Sequence, residues 1–320
     1  MATGQTLWLV LLLHILGAKS EYDLEECMAL GGQRSKCITD GMLVIISDHV
    51  AWDDWDAWYD VMKDFWTEDM VYDSNWTPNG DFSNNTGLRE FFDNEHIPFN
   101  LAFDNTTFAQ MIGVGEEYTS SILWYAKATW IGDLGTVPGS QHIGQEVTIW
   151  DLDFYKIDEE SGTRIAYNWC LIDFVDLMRQ VGYQVLPKPA LREGFMLPPA
   201  AMDGIPAPIS RLVNPEHTLI SKMIIQELLM NDFMLGFGPS DRWTDNMVWY
   251  GGAGFGMATS KDEYEEHILA PLRQGLSSRE LVIDVLNCEG AYCGVHGYIK
   301  GFHTGHWLGE EPTFRAISLR

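Results

Sequence analysis

The chain places its apolar residues with two different periods. Apolar side chains recur every three or four positions in two long stretches, Ser47–Phe65 and His217–Leu235. Two shorter stretches with this spacing follow, at Leu88–Asn94 and Asp262–Leu269. Such spacing is typical of helices with one buried face, so the pattern predicts a long and a short helix in each half of the chain.

Runs that alternate with a period of two follow each pair of helices and are rich in β-branched and aromatic residues. They span Ser120–Ile131, Glu146–Ile157, Arg164–Ile172, Leu281–Asn287, Tyr292–His303 and Ala316–Leu319. This period is typical of strands, because successive side chains point to opposite faces of a sheet. Helices followed by a curved antiparallel sheet predict an α+β fold in each half.

The two halves also share sequence. Trp66–Val71 returns as Trp243–Val248, and matching residues follow both segments in the same order. These are Glu90, Phe91, Pro98, Tyr118, Lys127 and Gly132 in the first half and Glu263, Tyr264, Pro271, Tyr292, Lys300 and Gly305 in the second. Because solenoid repeats span only ~20–50 residues, a repeat of this length predicts a duplicated domain.

These patterns predict four parts. Residues 1–20 hold an apolar run followed by a small-x-small sequence, which is typical of a secretory signal peptide. The first domain spans 21–184 and the second spans 217–320, and the proline-rich stretch 185–216 is a semi-rigid linker. The second domain ends where the first still has its last strands to come, so we expect it to be C-terminally incomplete.

Composition narrows the possible partners. With 46% apolar and 21% charged residues, the chain has the composition of globular domains. Its net charge of −26 argues against nucleic acids and anionic membranes, because both bind patches of Lys and Arg. We therefore expect no nucleic acid and no membrane as partners of the mature form. The predicted signal peptide implies a location outside the cell or in the lumen of the secretory pathway.

Five cysteines fit an oxidising compartment. Cys27 and Cys37 bracket two glycines, and Cys288 and Cys293 flank a turn, so we predict disulfides within these pairs and a buried, unpaired Cys170. Three sequons predict glycosylated surface loops, at Asn75, Asn84 and Asn105.

The strongest candidate for chemistry follows the strand Arg164–Ile172. Alternation puts Tyr167, Trp169 and Asp173 on one face. If this face lines a pocket, burial raises the pKa of the Asp173 carboxyl and suits it to proton transfer. Alternatively, Asp173 caps the next short helix, with Asp176 in its first turn. The residues alone leave both interpretations open.

Two motifs carry a family resemblance. Trp169-x-x-x-Asp173, followed by Leu177-Met178-x-Gln180-x-Gly182, resembles the C-terminal signature of the SnoaL-like polyketide cyclase family. His303-Thr304-Gly305-x-x-x-Gly309-x-x-Pro312-Thr313 resembles the turn before the long strands of the same family. The resemblance covers most of both domains. It implies two tandem cone-shaped α+β barrels, each with a pocket between sheet and helices, and a cofactor-free aldol cyclase or isomerase in which an aspartate is the acid/base.

On this resemblance the acid/base is Asp173, and His142 is the nearest candidate for a histidine partner. The predicted pocket walls of the first domain are aromatic: Tyr167, Trp169, Tyr72, Trp76, Trp130 and Trp55. The corresponding residues of the second domain are His303, which stands where the first domain has Trp130, together with Trp249 and Tyr250.

Two other motifs are more typical of structural roles than of a zinc site or a phosphate loop. Cys288, Cys293, His296, His303 and His306 include zinc ligands, but strand alternation puts His296 and His303 on opposite faces and a disulfide removes both thiolates. The glycine-rich stretch 251–256 has no Lys-Ser/Thr after it, so we expect a turn and not a phosphate loop. We therefore expect no metal and no cofactor.

Together, these observations predict a secreted protein of two SnoaL-like domains that performs acid/base chemistry, aldol cyclisation or isomerisation, on a small apolar carbonyl compound. The alternative is a non-catalytic module of the same fold that binds small molecules or acts as a scaffold. In either case we expect the two domains, or two chains, to pair through their sheets. A metal-dependent hydrolase is a third and more distant alternative.

Overall fold

The computed structural model describes residues 29, 34–49, 54–74, 85–135, 137–183, 214–236, 238–252 and 255–320. The predicted signal peptide, most of the predicted linker and four predicted site residues lie outside these ranges, namely Cys27, Asn75, Trp76 and Asn84. Within them, the helices are too short or too polar to cross a lipid bilayer.

The first half combines helices with long strands. Its helices are α1 (Arg34–His49), α2 (Trp55–Phe65), α3 (Leu88–Phe91), α4 (Ile97–Ala102) and α5 (Phe174–Gln180), and the π-helical turn Phe92–His96 joins α3 to α4. Its strands are β1 (Trp66–Ser74), β2 (Asn85–Thr86), β3 (Phe103–Gly115), β4 (Thr119–Trp130), β5 (Glu146–Ile157) and β6 (Ile165–Ile172).

The strands form one six-stranded sheet in the order β2-β1-β6-β5-β4-β3. All neighbours are antiparallel except β1 and β6, which are parallel. Helices α1 and α2 pack against this half-barrel and enclose a core of large apolar side chains, among them Trp58, Phe92 and Trp130. The predicted α+β class is therefore confirmed for the first half.

The predicted single helix over Ser47–Phe65 is wrong. Helix α1 ends at His49, and α2 begins at Trp55 after Asp54, whose Oδ1 accepts a hydrogen bond of 3.0 Å from the backbone N–H of Ala57. This contact is an N-cap, which satisfies one of the free N–H groups at the start of a helix. Asp54 therefore marks a new helix inside a stretch whose apolar spacing alone suggests one.

The second half has the same kinds of element in the same order. Helix α6 (Pro215–Leu229) continues into the π turn Met230–Leu235, and α7 (Lys261–Tyr264), the π turn Glu265–Leu269 and α8 (Ala270–Gly275) form a second helical stretch. The strands are β7 (Trp249–Gly251), β8 (Gly256–Ala258), β9 (Leu276–Glu289), β10 (Tyr292–His303) and β11 (Ala316–Leu319).

The strands of the second half do not join into one sheet. Strands β11, β10 and β9 form a three-stranded sheet, and β7 pairs with β8 alone. In the first half, β6 links β1 to β5, whereas the described residues of the second half contain no strand in the place of β6. The expected second cone is therefore seen only as separate sheets.

The first hairpin of the three-stranded sheet carries a disulfide. Cys288 at the end of β9 lies opposite Cys293 near the start of β10, and their sulfur atoms are bonded, which confirms the prediction for this pair. Cys37 is also disulfide-bonded, and Cys170 is a free, buried cysteine.

The two halves pack against each other through their long strands and their first helices. Lys36 on α1 pairs with Glu289 on β9 at 3.1 Å, and Lys222 on α6 pairs with Glu116, just after β3, at 2.6 Å. The two carboxylates also accept matching hydrogen bonds from the backbone. Glu289 accepts one from the N–H of Gly115 at 3.4 Å, and Glu116 accepts one from the N–H of Cys288 at 3.3 Å. We call these two contacts the reciprocal ion pairs, since each half contributes one lysine and one glutamate.

Candidate functional site

The side chains of β5 and β6 that point towards the helices include several polar groups. On β6, Asn168 and Cys170 are buried beside the core residue Ile172. On β5, Asp151 and Asp153 share the face of the core residues Ile149, Tyr155 and Ile157. The inner face of an otherwise apolar sheet therefore carries two carboxyls, a thiol and an amide at neighbouring positions.

These groups are within hydrogen-bonding reach of one another. One ligand atom each of Asp151, Asp153 and Cys170 lies within 4.8 Å of the other two. The Cys170 thiol donates to Asp151 Oδ1 at 3.3 Å, and Asn168 Nδ2 donates to Asp153 Oδ1 at 2.9 Å. Two carboxyls are thus held side by side in the interior of the first half.

A third carboxyl comes from the π turn between α3 and α4. Glu95 is only 3% exposed, and its Oε1 accepts a hydrogen bond of 3.4 Å from the hydroxyl of Tyr72 on β1. Its other oxygen, Oε2, is buried and has no hydrogen-bond partner among the described residues. We call Glu95, Asp151, Asp153 and Cys170 the carboxyl cluster.

Burial dominates the titration of this cluster. It raises the pKa of Asp153 to about 6, and it raises the pKa of Glu95 and of Asp151 well above their usual range, with repulsion between the carboxyls adding to the effect. The pKa of the Cys170 thiol is raised for the same reason. The carboxyls of the cluster therefore keep their protons to a higher pH than exposed carboxyls do.

Aromatic rings pack around Tyr72 and His96, the two neighbours of Glu95. The ring of Phe91 lies 4.4 Å from the ring of Tyr72 and 6.0 Å from that of His96, measured between centroids. The His96 ring also contacts Trp58 at 4.9 Å and Phe92 at 4.8 Å. Burial lowers the pKa of His96 to about 4, so its imidazole is neutral at physiological pH.

The cluster also has atoms that bind metals. Two carboxylates and a thiolate are a ligand set that zinc accepts. In the structure, however, the thiol donates to Asp151 and the Asn168 amide donates to Asp153, so protons and hydrogen bonds already stabilise the buried oxygens.

Asp173, the predicted acid/base, lies at the N-terminus of α5. Its Oδ1 accepts a hydrogen bond of 3.0 Å from the backbone N–H of Asp176, which makes it the N-cap of this helix. The side chain also faces the second half, because a Cβ placed on Gly252 would lie 3.3 Å from Asp173 Oδ2. The capping interpretation of Asp173 therefore describes its observed geometry, and its catalytic role stays a prediction.

Two substitutions separate the roles of Asp173. Asn caps helices about as well as Asp, whereas Ala does not cap them. We expect Asp173→Ala to lower the free energy of unfolding by about 1 kcal/mol and Asp173→Asn to change it by less than about 0.5 kcal/mol, as measured by urea denaturation. Equal losses in both variants would show that the cap contributes little.

Tyr167 and Trp169 lie on the face of β6 opposite the carboxyl cluster. Their rings stack at 4.0 Å, and Trp169 contacts the ring of His296 from the second half at 5.3 Å. They therefore face the contact between the halves and not the helices, contrary to the expected pocket. Both faces of β6 are covered, so alternation could not identify the inner one.

The other predicted site residues of the first half are distributed over several environments. Tyr72 belongs to the surroundings of Glu95, and Trp55 is half-buried against the core. Trp130 is fully buried, and its ring contacts that of His142 at 5.3 Å. His142 is buried in the turn before β5, where its Nε2 lies 3.4 Å from the hydroxyl of Tyr183.

The second-half candidates take structural positions. His303 is buried with its Nδ1 3.1 Å from the hydroxyl of Thr313. Trp249 packs on Tyr264 at 5.5 Å, and Tyr250 is exposed. His296 contacts the first half, and the Cys288 thiol is in a disulfide, so the structure does not bring the considered zinc ligands together.

The carboxyl cluster itself was not predicted from the sequence. Residues 150–154 do carry a signal for it, since acidic and apolar residues alternate there. Two acidic residues two positions apart in a strand lie on the same face of the sheet. Glu95 gives no comparable signal, since its π turn interrupts the helical period that locates buried faces.

Comparison with known proteins gives a likeness of structure only. No family model matches the chain, and no curated protein matches it. Solved structures resemble it over 46% of its length. One is a SnoaL-like polyketide cyclase from Agrobacterium tumefaciens, with 17% identity, 97% of that chain covered and a TM-score of 0.34.

Two further neighbours have similar values. TsrD from Streptomyces laurentii has 14% identity, with 46% of this chain and 96% of that chain covered and a TM-score of 0.36. An NTF2-like protein from Burkholderia thailandensis has 12% identity, with shares of 46% and 95% and a TM-score of 0.34. Each of these neighbours is thus covered almost completely, while less than half of this chain is covered.

Proposed function

We propose that the first half binds a small apolar carbonyl compound and moves a proton on it without a cofactor, in an aldol cyclisation or an isomerisation. The observation that carries this proposal is the carboxyl cluster, in which burial raises the pKa of two paired carboxyls and of a third one that interacts with them. Acid/base catalysis needs such groups, with pKa values near the working pH.

The cluster supplies an acid and a base from different elements. Glu95, whose pKa burial raises well above its usual range, donates a proton from the unpartnered Oε2 to the oxygen of the carbonyl compound. The pair Asp151 and Asp153 shares a negative charge and takes a proton from carbon. Tyr72 holds Glu95 through its hydroxyl, so the acid is fixed before the ligand enters.

Substitutions in the cluster test this proposal directly. The full chain is incubated in heavy water with a small-molecule extract, and mass spectrometry follows compounds that gain deuterium or change isomer. We expect Glu95→Gln and Asp153→Asn each to reduce the rate about 10²–10⁴-fold, and Asp173→Asn to leave it within a few-fold.

Two results would contradict the proposal. If Asp173→Asn abolishes the reaction and the cluster variants do not, the acid/base is Asp173. If a chelator stops the reaction and zinc restores it, the cluster acts through a metal.

The reciprocal ion pairs favour the second candidate function, a binding or scaffolding module. We propose that the second half is a further copy of the first, in which the pairing surface persists and the carboxyl cluster does not. This duplication is supported by matching local contacts in the two halves. The N–H of Thr86 bonds Glu90 at 2.9 Å and that of Thr259 bonds Glu263 at 2.8 Å, and a π turn follows each glutamate.

This second candidate has its own test. If compounds from the extract are retained by the protein but returned unchanged, equally by the wild type and the Glu95→Gln variant, the first half binds without reacting.

We also propose that the protein is secreted and glycosylated. The disulfide between Cys288 and Cys293 is typical of proteins from oxidising compartments. The predicted acceptor Asn105 is exposed on β3, where the register with β4 shifts between Asp104 and Thr107. Expression in a secreting eukaryotic cell, followed by deglycosylation and mass measurement of the secreted protein, tests both points.

A further inference from the structure

The π turn Phe92–His96 ends in two consecutive residues that each present an unpartnered polar atom to the interior. Glu95 Oε2 and His96 Nε2 are both buried, and neither has a hydrogen-bond partner among the described residues. A buried polar atom without a partner destabilises a fold, because it has lost its hydrogen bonds to water. This destabilisation occurs twice in the π turn, at neighbouring positions.

The second half shows that this π turn needs neither polar group. Its own π turn, Glu265–Leu269, follows the matching Thr–Glu contact and ends in Ile268 and Leu269, where the first half has Glu95 and His96. Leu269 is fully buried in an apolar cluster. The same local structure therefore forms with aliphatic residues, and Glu95 and His96 are not needed to build it.

Burial favours the uncharged form of both groups. Burial raises the pKa of Glu95 and lowers that of His96, so a carboxylic acid stands next to a neutral imidazole. A neutral imidazole offers one acceptor nitrogen and one N–H, and a carboxylic acid offers an O–H donor. Around them stand the rings of Phe91, Phe92 and Trp58.

We propose that Glu95 and His96 form a subsite for an uncharged planar ligand that carries a carbonyl acceptor beside an N–H or O–H donor on an apolar body. The Glu95 acid donates to the carbonyl oxygen, and His96 Nε2 accepts from the neighbouring donor. The aromatic rings hold the apolar body. This inference rests on the proposed function, because it assigns the substrate class of the same site and adds His96 to its binding residues.

Charged ligands are disfavoured by the same surroundings. An anion would meet the carboxyl cluster at close range in a low-dielectric interior, where like charges repel strongly. A purely apolar ligand of equal size would leave both polar atoms unsatisfied. The subsite therefore discriminates by hydrogen bonding and charge and not by shape alone.

Three probes of nearly equal shape test the subsite on the full chain. Benzamide has the neutral acceptor and donor, benzoate has the charge, and toluene has neither. Dissociation constants are measured by NMR titration at pH 7 with the histidine rings labelled by ¹⁵N. We expect benzamide to bind at least about tenfold more tightly than either of the other probes, which corresponds to about 1.4 kcal/mol, and to shift the His96 Nε2 resonance.

Variants taken from the second half provide the control. His96→Leu copies Leu269, and we expect it to lose the tenfold preference for benzamide while toluene binding changes less than about threefold. His96→Asn, which keeps a hydrogen-bonding group, is expected to retain part of the preference. Thermal unfolding of each variant verifies that it is folded. Equal binding of benzamide and toluene by the wild type, or an unchanged preference in folded His96→Leu, would overturn the subsite.

Glu95→Gln separates this inference from the proposed chemistry. Its amide still donates a hydrogen bond but has no proton to transfer. We expect it to keep the preference for benzamide and to lose the exchange of deuterium into the substrate. If the wild type prefers benzamide but turns over no compound, the proposed reaction is contradicted and the subsite is supported. If the His96→Leu variant turns over substrate as fast as the wild type, the subsite is contradicted and the proposed reaction is supported.

Discussion

Replacing Glu289 with glutamine is expected to lower the free energy of unfolding by about 3 kcal/mol. The side chains of Lys36 and Glu289 are 0% and 1% exposed, so the substitution leaves an ammonium group in the interior without its main counter-charge. Breaking a buried pair from one side is costly because the remaining charge stays desolvated. Asp40, which also interacts electrostatically with Lys36, can ionise and recover part of the loss.

The second reciprocal ion pair supplies the matched control. Lys222 and Glu116 make the same type of contact, but their side chains are 30% and 28% exposed. Water screens an exposed pair, so Glu116→Gln is expected to cost less than about 1 kcal/mol. Urea denaturation of both variants at pH 7 gives the comparison. Losses of equal size would contradict the role assigned here to burial.

The largest effect of pH on the free energy of unfolding is expected from the titration of Asp40. Burial raises its pKa from 3.8 to about 7, while Lys36 opposes and Glu289 reinforces this shift. The folded protein therefore holds a proton on Asp40 between about pH 4 and pH 7 that the unfolded chain has released. A raised pKa of this kind stabilises the fold at low pH, and the contribution is lost as the pH rises through 7.

The substitution Asp40→Asn removes this dependence. At about 1.4 kcal/mol per pKa unit, the contribution of Asp40 changes by up to about 4 kcal/mol across the window. We expect the variant to match the wild type near pH 4 and to be more stable than it at pH 8. The difference in unfolding free energy between the two proteins, measured at pH 4, 5, 6, 7 and 8, isolates Asp40 from other carboxyls with raised pKa. A difference that stays constant would refute the assignment.

The strands were the most predictable part of the fold. The runs Glu146–Ile157, Tyr292–His303 and Ala316–Leu319 match β5, β10 and β11, because turn residues interrupt the alternation at their ends. Strand β1 was missed, since Glu68 and Asp69 are exposed within it and break its apolar rhythm. Strand β3 carries the polar run Asn105–Thr107, which hides it in the same way.

The candidate site was less predictable for a physical reason. A sequence period identifies which residues share a face, but it does not say what covers that face. On β6, helices cover the side of Cys170 and the second half covers the side of Trp169. The expected pocket was therefore assigned to the face that contacts the second half. Glu95 depends on a π turn, whose extra residue has no periodic signature.

The pairing of Lys36 with Glu289 also constrains how the chain is made. These residues are 253 positions apart, so the N-terminal helix is synthesised long before the hairpin that neutralises its buried lysine. At about 5–20 residues per second, the ribosome needs roughly 13–50 s to bridge that interval. During this time α1 carries an unpaired charge on a surface that is later sealed. The nascent first half therefore reaches its final stability only after Glu289 has been translated.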